Sequence, residues 1–351
     1  MTRTSKTPVV FIIHPGTLGD VVLSLQALQG IRACWSQHEL VMLVRKEIGK
    51  VLVQLKVVNR VMDMEGPVLS ELLCDDPQLD RDFAEVLSRC DHAVAWLRDP
   101  ERRLAENFKK LGVEQRCILS PHDELLSAVH QADRYCETLN YWGSENTGAN
   151  ASQLFSRKPS SSWIEEGVHD SPMAQESQIL MIHYGSGSQH KCVPPERMGA
   201  IIRRLADTHS RKVILCQGPA DAEMVSALKP YIPHVSFEIL KDTDLSCVVK
   251  VLRGVDVFVG HDSGLTHLAA ALGVPTLALF GPTDHRRWGP RGAQVKILQG
   301  PDCRCQDWNA VQQCSQKSCL MHPIEDIVQA VERLTNHSRK SVYFGHMVNT
   351  Q

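Results

Sequence analysis

Three short stretches of this chain put small residues, hydroxyls and ionisable groups directly after an apolar run. They are HPGTLGD (His14–Asp20), HYGSGSQHK (His183–Lys191) and VGHDSGLTHLAAALGVP (Val259–Pro275). The last sets His, Asp and Ser side by side, which raises three chemistries: a Ser/His/Asp nucleophile, a metal site, or a phosphate-binding turn. A serine hydrolase needs its nucleophile at the centre of G-x-S-x-G, and GHDSG does not supply that. A metal needs converging ligands, whereas His261 and Asp262 are neighbours in an extended turn and point apart. A strand, a turn at Asp262-Ser263-Gly264 and a short helix would instead aim helix N–H groups at an anion beside Ser263 and Gly264. His267 is then either a further phosphate contact or a residue of the helix surface.

The other two loops invite related readings. In HPGTLGD two glycines permit a tight turn, and Asp20 falls at the start of a helix, where a carboxylate is favoured. It is either an N-cap or an exposed general base. GxxGD is not the dinucleotide fingerprint, and no acidic residue ends the second strand, so a nicotinamide site is not indicated. HYGSGSQHK combines backbone N–H groups, the hydroxyls of Ser186 and Ser188, and the charge of Lys191, a set that suits an oxyanion. It lacks the GxxxxGK[ST] order of a Walker loop.

The elements that must carry these loops alternate in type. Val9–Ile13, Leu40–Val44 and Ala93–Trp96 read as strands, with helices at Asp20–Ala33, Lys46–Lys56 and Glu101–Leu111. On the first helix Val21, Leu25 and Leu28 share a face. Between Tyr141 and Ser177 the pattern gives way to Gly, Ser, Asn and Pro, as expected of a connection. It restarts with strands at Ile179–His183, Val213–Cys216, Val255–Val259 and Thr276–Phe280. Helices are expected at Glu196–His209, Ala220–Leu228, Leu245–Leu252, Leu265–Leu272 and Ile324–Leu334. In the fourth of these, Leu265, Leu268, Ala269 and Leu272 are expected to be buried. Such alternation predicts an α/β fold of two doubly wound parallel sheets facing a cleft, with ligands at the strands' carboxyl ends. The expected domains are residues 1–165 and 176–335, with a tail, 336–351, packing back on the first.

Bulk properties narrow the partners. The chain has 351 residues, 40 acidic against 38 basic, without the basic excess of a nucleic-acid binder. No apolar run reaches the length of a membrane span. VVFII near the N-terminus suits a buried strand better than a signal peptide. Twelve scattered cysteines fit a reducing cytosol.

With the three loops in this order, the chain resembles the family 9 glycosyltransferases, whose best-known members are ADP-heptose:lipopolysaccharide heptosyltransferases. The resemblance rests on PGTLGDVVLSLQAL, HYGSGSQHK, GPADAE (Gly218–Glu223), HQADRYCETLNYWG (His130–Gly143) and, most specifically, FVGHDSGLTHLAAALGVPTLALFGPTD (Phe258–Asp284). It implies a GT-B fold and an inverting, metal-independent transfer with no cofactor. The acceptor would bind the first Rossmann-like domain and the nucleotide sugar, ADP-heptose, the second. By this resemblance Asp20 is the general base, in an acceptor-side loop of Gly16, Thr17, Leu18 and Gly19. Lys191, with Ser186 and Ser188, holds the diphosphate. Glu223 bonds the ribose, Asp262 accepts from sugar hydroxyls, and the Ser263 and Gly264 amides with His267 bind phosphate. His14, Gln26 and Val193 depart from the Arg or Lys, Pro and Trp that many members carry there. The implied acceptor is a lipopolysaccharide-core or related envelope glycan, so the protein is expected to be cytoplasmic and peripheral at the inner leaflet. A nucleotide-sugar-binding protein without transfer and a nucleotide-sugar epimerase are the competing functions.

Two further features remain. Cys303, Cys305, Cys314 and Cys319 are separated by one, eight and four residues, unlike the usual zinc spacings. Free or structural thiols, a metal site and a disulfide are the alternatives there. Arg98–Arg103, Lys109 and Lys110 are either solvated charges or contacts to an acidic acceptor.

Overall fold

The computed structural model describes residues 7–121, 128–143, 178–207 and 211–348, and the side chains among them except those of residues 142–143 and 337–348. The chain divides into two compact units, Met1–Ser160 and Ser161–Gln351. The expected connection after Gly143 and the side chains of the expected C-terminal tail lie outside the described residues.

The first unit begins with β1 (Val9–Ile13), all five residues of which are buried. There follow α1 (Leu18–Leu23), α2 (Leu25–Cys34), β2 (Glu39–Val44), α3 (Lys46–Gln54) and β3 (Arg60–Asp63). After them come α4 (Val68–Leu72), α5 (Arg81–Leu87), β4 (Cys90–Ala95), α6 (Arg103–Lys110), β5 (Gln115–Ile118) and α7 (Gln131–Gly143). The sheet order is β3-β2-β1-β4-β5, every pair parallel. A continuous apolar run such as VVFII is what a strand covered by helices on both faces requires. Where one helix was expected from Asp20, there are two, jointed at Ser24. Its hydroxyl donates to the Val21 carbonyl at 2.8 Å, a back-bond that bends helices.

In the second unit β6 (Ile179–His183) leads to α8 (Pro195–Asp207), β7 (Lys212–Cys216), α9 (Ala222–Leu228), β8 (Phe237–Leu240) and α10 (Leu245–Leu252). Next are β9 (Val257–His261), α11 (Gly264–Ala271), β10 (Thr276–Phe280), α12 (His285–Trp288), β11 (Val295–Gln299), α13 (Trp308–Gln313) and α14 (Ile324–Val348). Its parallel sheet runs β11-β10-β9-β6-β7-β8. The chain winds outward from β6, then returns to β9 on its other side. The loops after β6 and β9 therefore diverge, which makes that point the natural ligand crevice of a doubly wound sheet. In the first unit the same reversal lies between β1 and β4.

Four strands were not expected: β3, β5, β8 and β11. All are at sheet edges, mostly half-buried and interrupted by charged residues such as Arg60, Arg116, Glu238 and Lys296. An edge strand needs no continuous apolar run, so a search for such runs passes over it. In α11 the buried residues are Thr266, His267, Leu268, Ala269 and Ala270, while Leu265 and Leu272 are half-buried. This corrects the expected face: a short helix sunk beside β9 and β10 buries small residues on several sides.

Gly300 ends β11, and a Cβ placed there would run into the carbonyl oxygen of Cys319. We expect Gly300→Ala to cost about 1–3 kcal/mol of stability, the usual scale of overpacking. Gly254→Ala, whose Cβ would meet only an ordinary contact with Val251 O at 3.6 Å, should be close to neutral. Denaturant unfolding checks both, and equal losses would show that the Gly300 contact relaxes without cost.

Candidate functional site

The loop after β1 is organised by its own short-range bonds. Thr17 is the N-cap of α1, and Asp20 sits at the third helical position rather than at the cap. Asp20 Oδ2 accepts from the Thr17 backbone N–H at 2.9 Å and from the Thr17 hydroxyl at 2.8 Å. The carboxylate is half-buried, so it is held in place without leaving solvent. Below it, His14 Nδ1 accepts from Gly16 N–H at 3.1 Å, which makes this ring the neutral Nε2–H tautomer. The ring packs against Trp96 and Tyr135 with centroids 5.2 Å away in each case. His14 thus fills its place as a neutral aromatic residue, without the charge of an Arg or Lys. Beside the carboxyl ends of β4 and β5 an open cavity of about 1030 Å³ is lined by Arg98, Asp99, Arg102, Arg116 and Tyr141, among others.

The second unit gathers its ionisable groups at the crevice between β6 and β9. Lys191 ends a single 3₁₀ turn, Gln189–Lys191, capped by Ser188, whose hydroxyl accepts from His190 N–H. Lys191 Nζ bonds Asp262 Oδ2 at 2.8 Å, and His267 Nε2 stands 3.7 Å from Asp262 Oδ1. Burial acts to raise the Asp262 carboxyl, but His267 and the Lys191 ammonium outweigh it and hold it at about 2. His267 is itself buried, so it does not belong to the helix surface. The Ser186 hydroxyl donates to the Asp262 carbonyl at 2.6 Å, tying the two loops together. The exposed ring of Trp308, at the start of α13, has its centroid 5.8 Å from Lys191 Nζ.

Ser263 caps α11 and accepts from Thr266 N–H, leaving the N–H groups at the helix start directed outward. Its hydroxyl lies 3.1 Å from His183 Nδ1, and His183 Nε2 lies 2.9 Å from Asp221 Oδ2. Asp221 also accepts from Gly218 N–H at 2.9 Å. The carboxylate presses so close to Gly185 that a Cβ there would collide with it. Val193 is held by its backbone: its N–H donates to His261 Nε2 at 3.1 Å, and its carbonyl accepts from Tyr184 at 2.9 Å. Glu223, at the second position of α9, is exposed and stands beyond this network.

Sequence reasoning missed His183, Asp221 and Trp308 as members of the site. His183 and Asp221 both lie in quoted motifs, yet their partnership spans 38 positions and depends on β6 lying beside β7. No local spacing signals that. Trp308 is brought to Lys191 by the cysteine-bearing segment.

All twelve cysteines are free thiols, so the disulfide alternative does not hold. The four clustered ones do meet. The proximity of Cys303, with that of Cys314, pushes the Cys305 thiol up to about 12, and burial together with Cys303 does the same to Cys319. Among the described residues, no group of three or more His, Cys, Asp or Glu is placed to hold a metal ion. Nor, among them, is any helix long and apolar enough to cross a membrane.

Comparison with known proteins bears on the family and the fold. Residues 129–319 match the family model described as Glycosyltransferase family 9 (heptosyltransferase). The chain is 42% identical over 88 residues to lipopolysaccharide heptosyltransferase 1 of Pseudomonas aeruginosa, covering 25% of this chain and 23% of that one. It is 32% identical over 108 residues to lipopolysaccharide heptosyltransferase 1 of Escherichia coli K12, covering 31% and 33% respectively. The matched stretches thus span only 23% and 33% of those two relatives. The fold matches that of E. coli ADP-heptose lipopolysaccharide heptosyltransferase II with a TM-score of 0.69 at 17% identity, over 94% of this chain and 99% of that one. Two Rossmann-like doubly wound units are the GT-B architecture, and the family model covers more than half of the sequence. The chain belongs to glycosyltransferase family 9, the heptosyltransferase family.

Proposed function

We propose that this protein is an inverting, metal-independent glycosyltransferase that moves heptose from ADP-heptose onto a lipopolysaccharide-core or related envelope glycan. The observation that carries this reading is the crevice between β6 and β9 in a chain of this family. There an ammonium group is fixed against Asp262, beside a helix start whose N–H groups face outward. Departure of a nucleoside diphosphate builds negative charge, and preorganised N–H donors with one cation stabilise it as it forms. Lys191 with the loop of Ser186 and Ser188 is assigned to the diphosphate, and the Ser263 and Gly264 amides with His267 to its phosphates. Asp262 keeps unused lone pairs on both oxygens, so it can accept from a sugar hydroxyl while paired with Lys191. Glu223, exposed beside the Gly218 turn, suits the cis-diol of a ribose.

On the acceptor side Asp20 is the base. Both bonds from Thr17 end on Oδ2, which leaves Oδ1 for the proton of the attacking hydroxyl. The loop of Gly16, Thr17, Leu18 and Gly19 lies against the acceptor. The cavity lined by Arg98, Arg102 and Arg116 suits an anionic glycolipid, with the protein cytoplasmic and peripheral at the inner leaflet.

The direct test supplies ADP-heptose, or other nucleotide sugars, with and without a lipid-core acceptor. Acceptor-dependent ADP release is expected with ADP-heptose. In Asp20→Asn we expect kcat to fall roughly 10²–10⁴-fold with donor KM little changed, the pattern of a lost general base. Donor binding without turnover in the unaltered protein would point to a binding protein, and acceptor-independent conversion to an epimerase.

The Lys191–Asp262 pair also makes a stability prediction. Folded Asp262 titrates at about 2, below its ordinary 3.8. Its contribution is therefore complete above the ordinary value and is lost as pH falls through about 4 toward 2. Linkage puts this at about 2 kcal/mol. Asp262→Asn should unfold more easily at neutral pH and show a flatter loss of stability over that acid range. Parallel acid limbs in the two proteins would refute the assignment.

A further inference from the structure

The polar chain behind the helix start of α11 carries more information than its distances. Asp221 Oδ2, His183 Nε2, His183 Nδ1, Ser263 Oγ, Thr266 Oγ1 and the His261 carbonyl follow one another at 2.9, 3.1, 3.0 and 2.6 Å, the ring joining its two nitrogens. Protons can be assigned to it by counting. The His261 carbonyl only accepts, so the single Thr266 hydroxyl proton is committed there. The Ser263–Thr266 contact can then carry a proton only if Ser263 donates it. In that case Ser263 has nothing left to give His183, and Nδ1 must be the donor. An ionised Asp221 only accepts, so Nε2 must donate as well. Both ring nitrogens then carry hydrogen. A neutral ring with hydrogen on Nε2 would accept the Ser263 hydroxyl at Nδ1 and leave the two hydroxyl oxygens 3.0 Å apart with no proton between them.

The surroundings leave this charge to His183. His261 accepts from Val193 N–H through Nε2, so it is the neutral ring of the pair, and burial with the nearby His183 pushes it down to about 3. Burial pushes the thiols of Cys216, beside His183 on β7, and of Cys192 up to about 12. The Lys191 ammonium is matched by Asp262. Asp221 is held below the ordinary carboxylate range: burial opposes this, but the bond to His183 prevails.

We infer that His183 and Asp221 are positioning residues, a buried imidazolium–carboxylate pair that locks Ser263 as the cap of α11 with its proton directed to Thr266. Ser263 Oγ then accepts from His183 Nδ1–H and Thr266 N–H and donates once, which exhausts its capacity. Its hydroxyl is withheld from any ligand, so at the start of α11 an incoming phosphate meets backbone N–H groups, His267 and Lys191 rather than the Ser263 hydroxyl. The positive end of the pair faces the helix start, and Asp221 lies on the far side of the ring. The phosphate part of this inference rests on the donor site proposed above.

Nitrogen-15 NMR of the intact protein, with His183 assigned through its backbone, tests the pair without a variant. Two protonated ring nitrogens at pH 7 are expected, and their loss in Asp221→Asn. A single-proton neutral signature for His183 at pH 7 overturns the inference. Calorimetric ADP binding is then followed against pH in the unaltered protein and in His183→Gln. The phosphate ionisation of ADP is common to both. Affinity in the unaltered protein should weaken roughly tenfold, the scale of a charge at a helix terminus, as pH rises through the ionisation seen by NMR. In His183→Gln that limb should be absent, whereas a purely structural role would lower stability and leave the limb in place, overturning the link to phosphate. Failure of ADP to bind the unaltered protein at any pH would instead sink the donor-site reading, and the imidazolium signature would still decide the pair.

Discussion

Much of the second unit's site depends on one constraint: where the strand order reverses, the loops after β6 and β9 part, and something must bridge them. The bond from Lys191 Nζ to Asp262 Oδ2 does so at 2.8 Å, between residues 71 positions apart. As a source of stability the pair contributes only what remains after part of its attraction has offset the cost of removing charge from water. Its effect is positional. A lysine side chain has many rotamers, and here one is selected by a carboxylate beside a helix start and an aromatic ring. On the proposed reading, a phosphate-bearing ligand meets an ammonium group that has already been ordered.

The neighbouring bonds continue the same work with backbone atoms. Ser186 ties to the Asp262 carbonyl, and Val193 ties through both its N–H and its carbonyl. Because Val193 is held by its main chain, the anchoring of the loop does not depend on which side chain stands there. The hydroxyls that make the glycine-serine loop look like an anion cradle are engaged within the protein, although Ser188, which only accepts, keeps its proton to give. Ser186 donates to a carbonyl, Ser188 caps the 3₁₀ turn and Ser263 caps α11. In the proposed donor site, anion binding falls mainly to N–H groups, His267 and Lys191, with those hydroxyls securing the loops that present them.

This division explains what could be read in advance. Strands buried on both faces announce themselves as apolar runs, and the central strands of both sheets were legible for that reason. The edge strands β3, β5, β8 and β11 bury too little to leave such a trace. The three loops were legible because turn chemistry is local: glycine, a small hydroxyl residue and a helix start within a few positions. The alliance of His183 with Asp221 was not, since it is made by sheet order. His14 carries a similar lesson. Its residue type suggests a titrating group, but Gly16 N–H and two aromatic rings make it a neutral packing element. The four cysteines do come together, although their spacing fits no familiar ligand pattern.

The two units hold their key groups by different means, with consequences for how each would fail. Asp20 is fixed by Thr17, three positions away, through bonds that form whenever the first turn of α1 forms. Lys191 and Ser263 are fixed by partners 71 and 80 positions away, so their placement requires the whole second sheet to be assembled. Partial loosening of that sheet would release Lys191 and the α11 cap together, because the loops share Asp262 and its neighbours. The carboxylate assigned as base would keep its geometry under the same loosening. A damaged protein of this kind should therefore lose donor affinity before it loses the capacity to orient a proton acceptor. That order follows from contact range alone, whatever sugar the site carries.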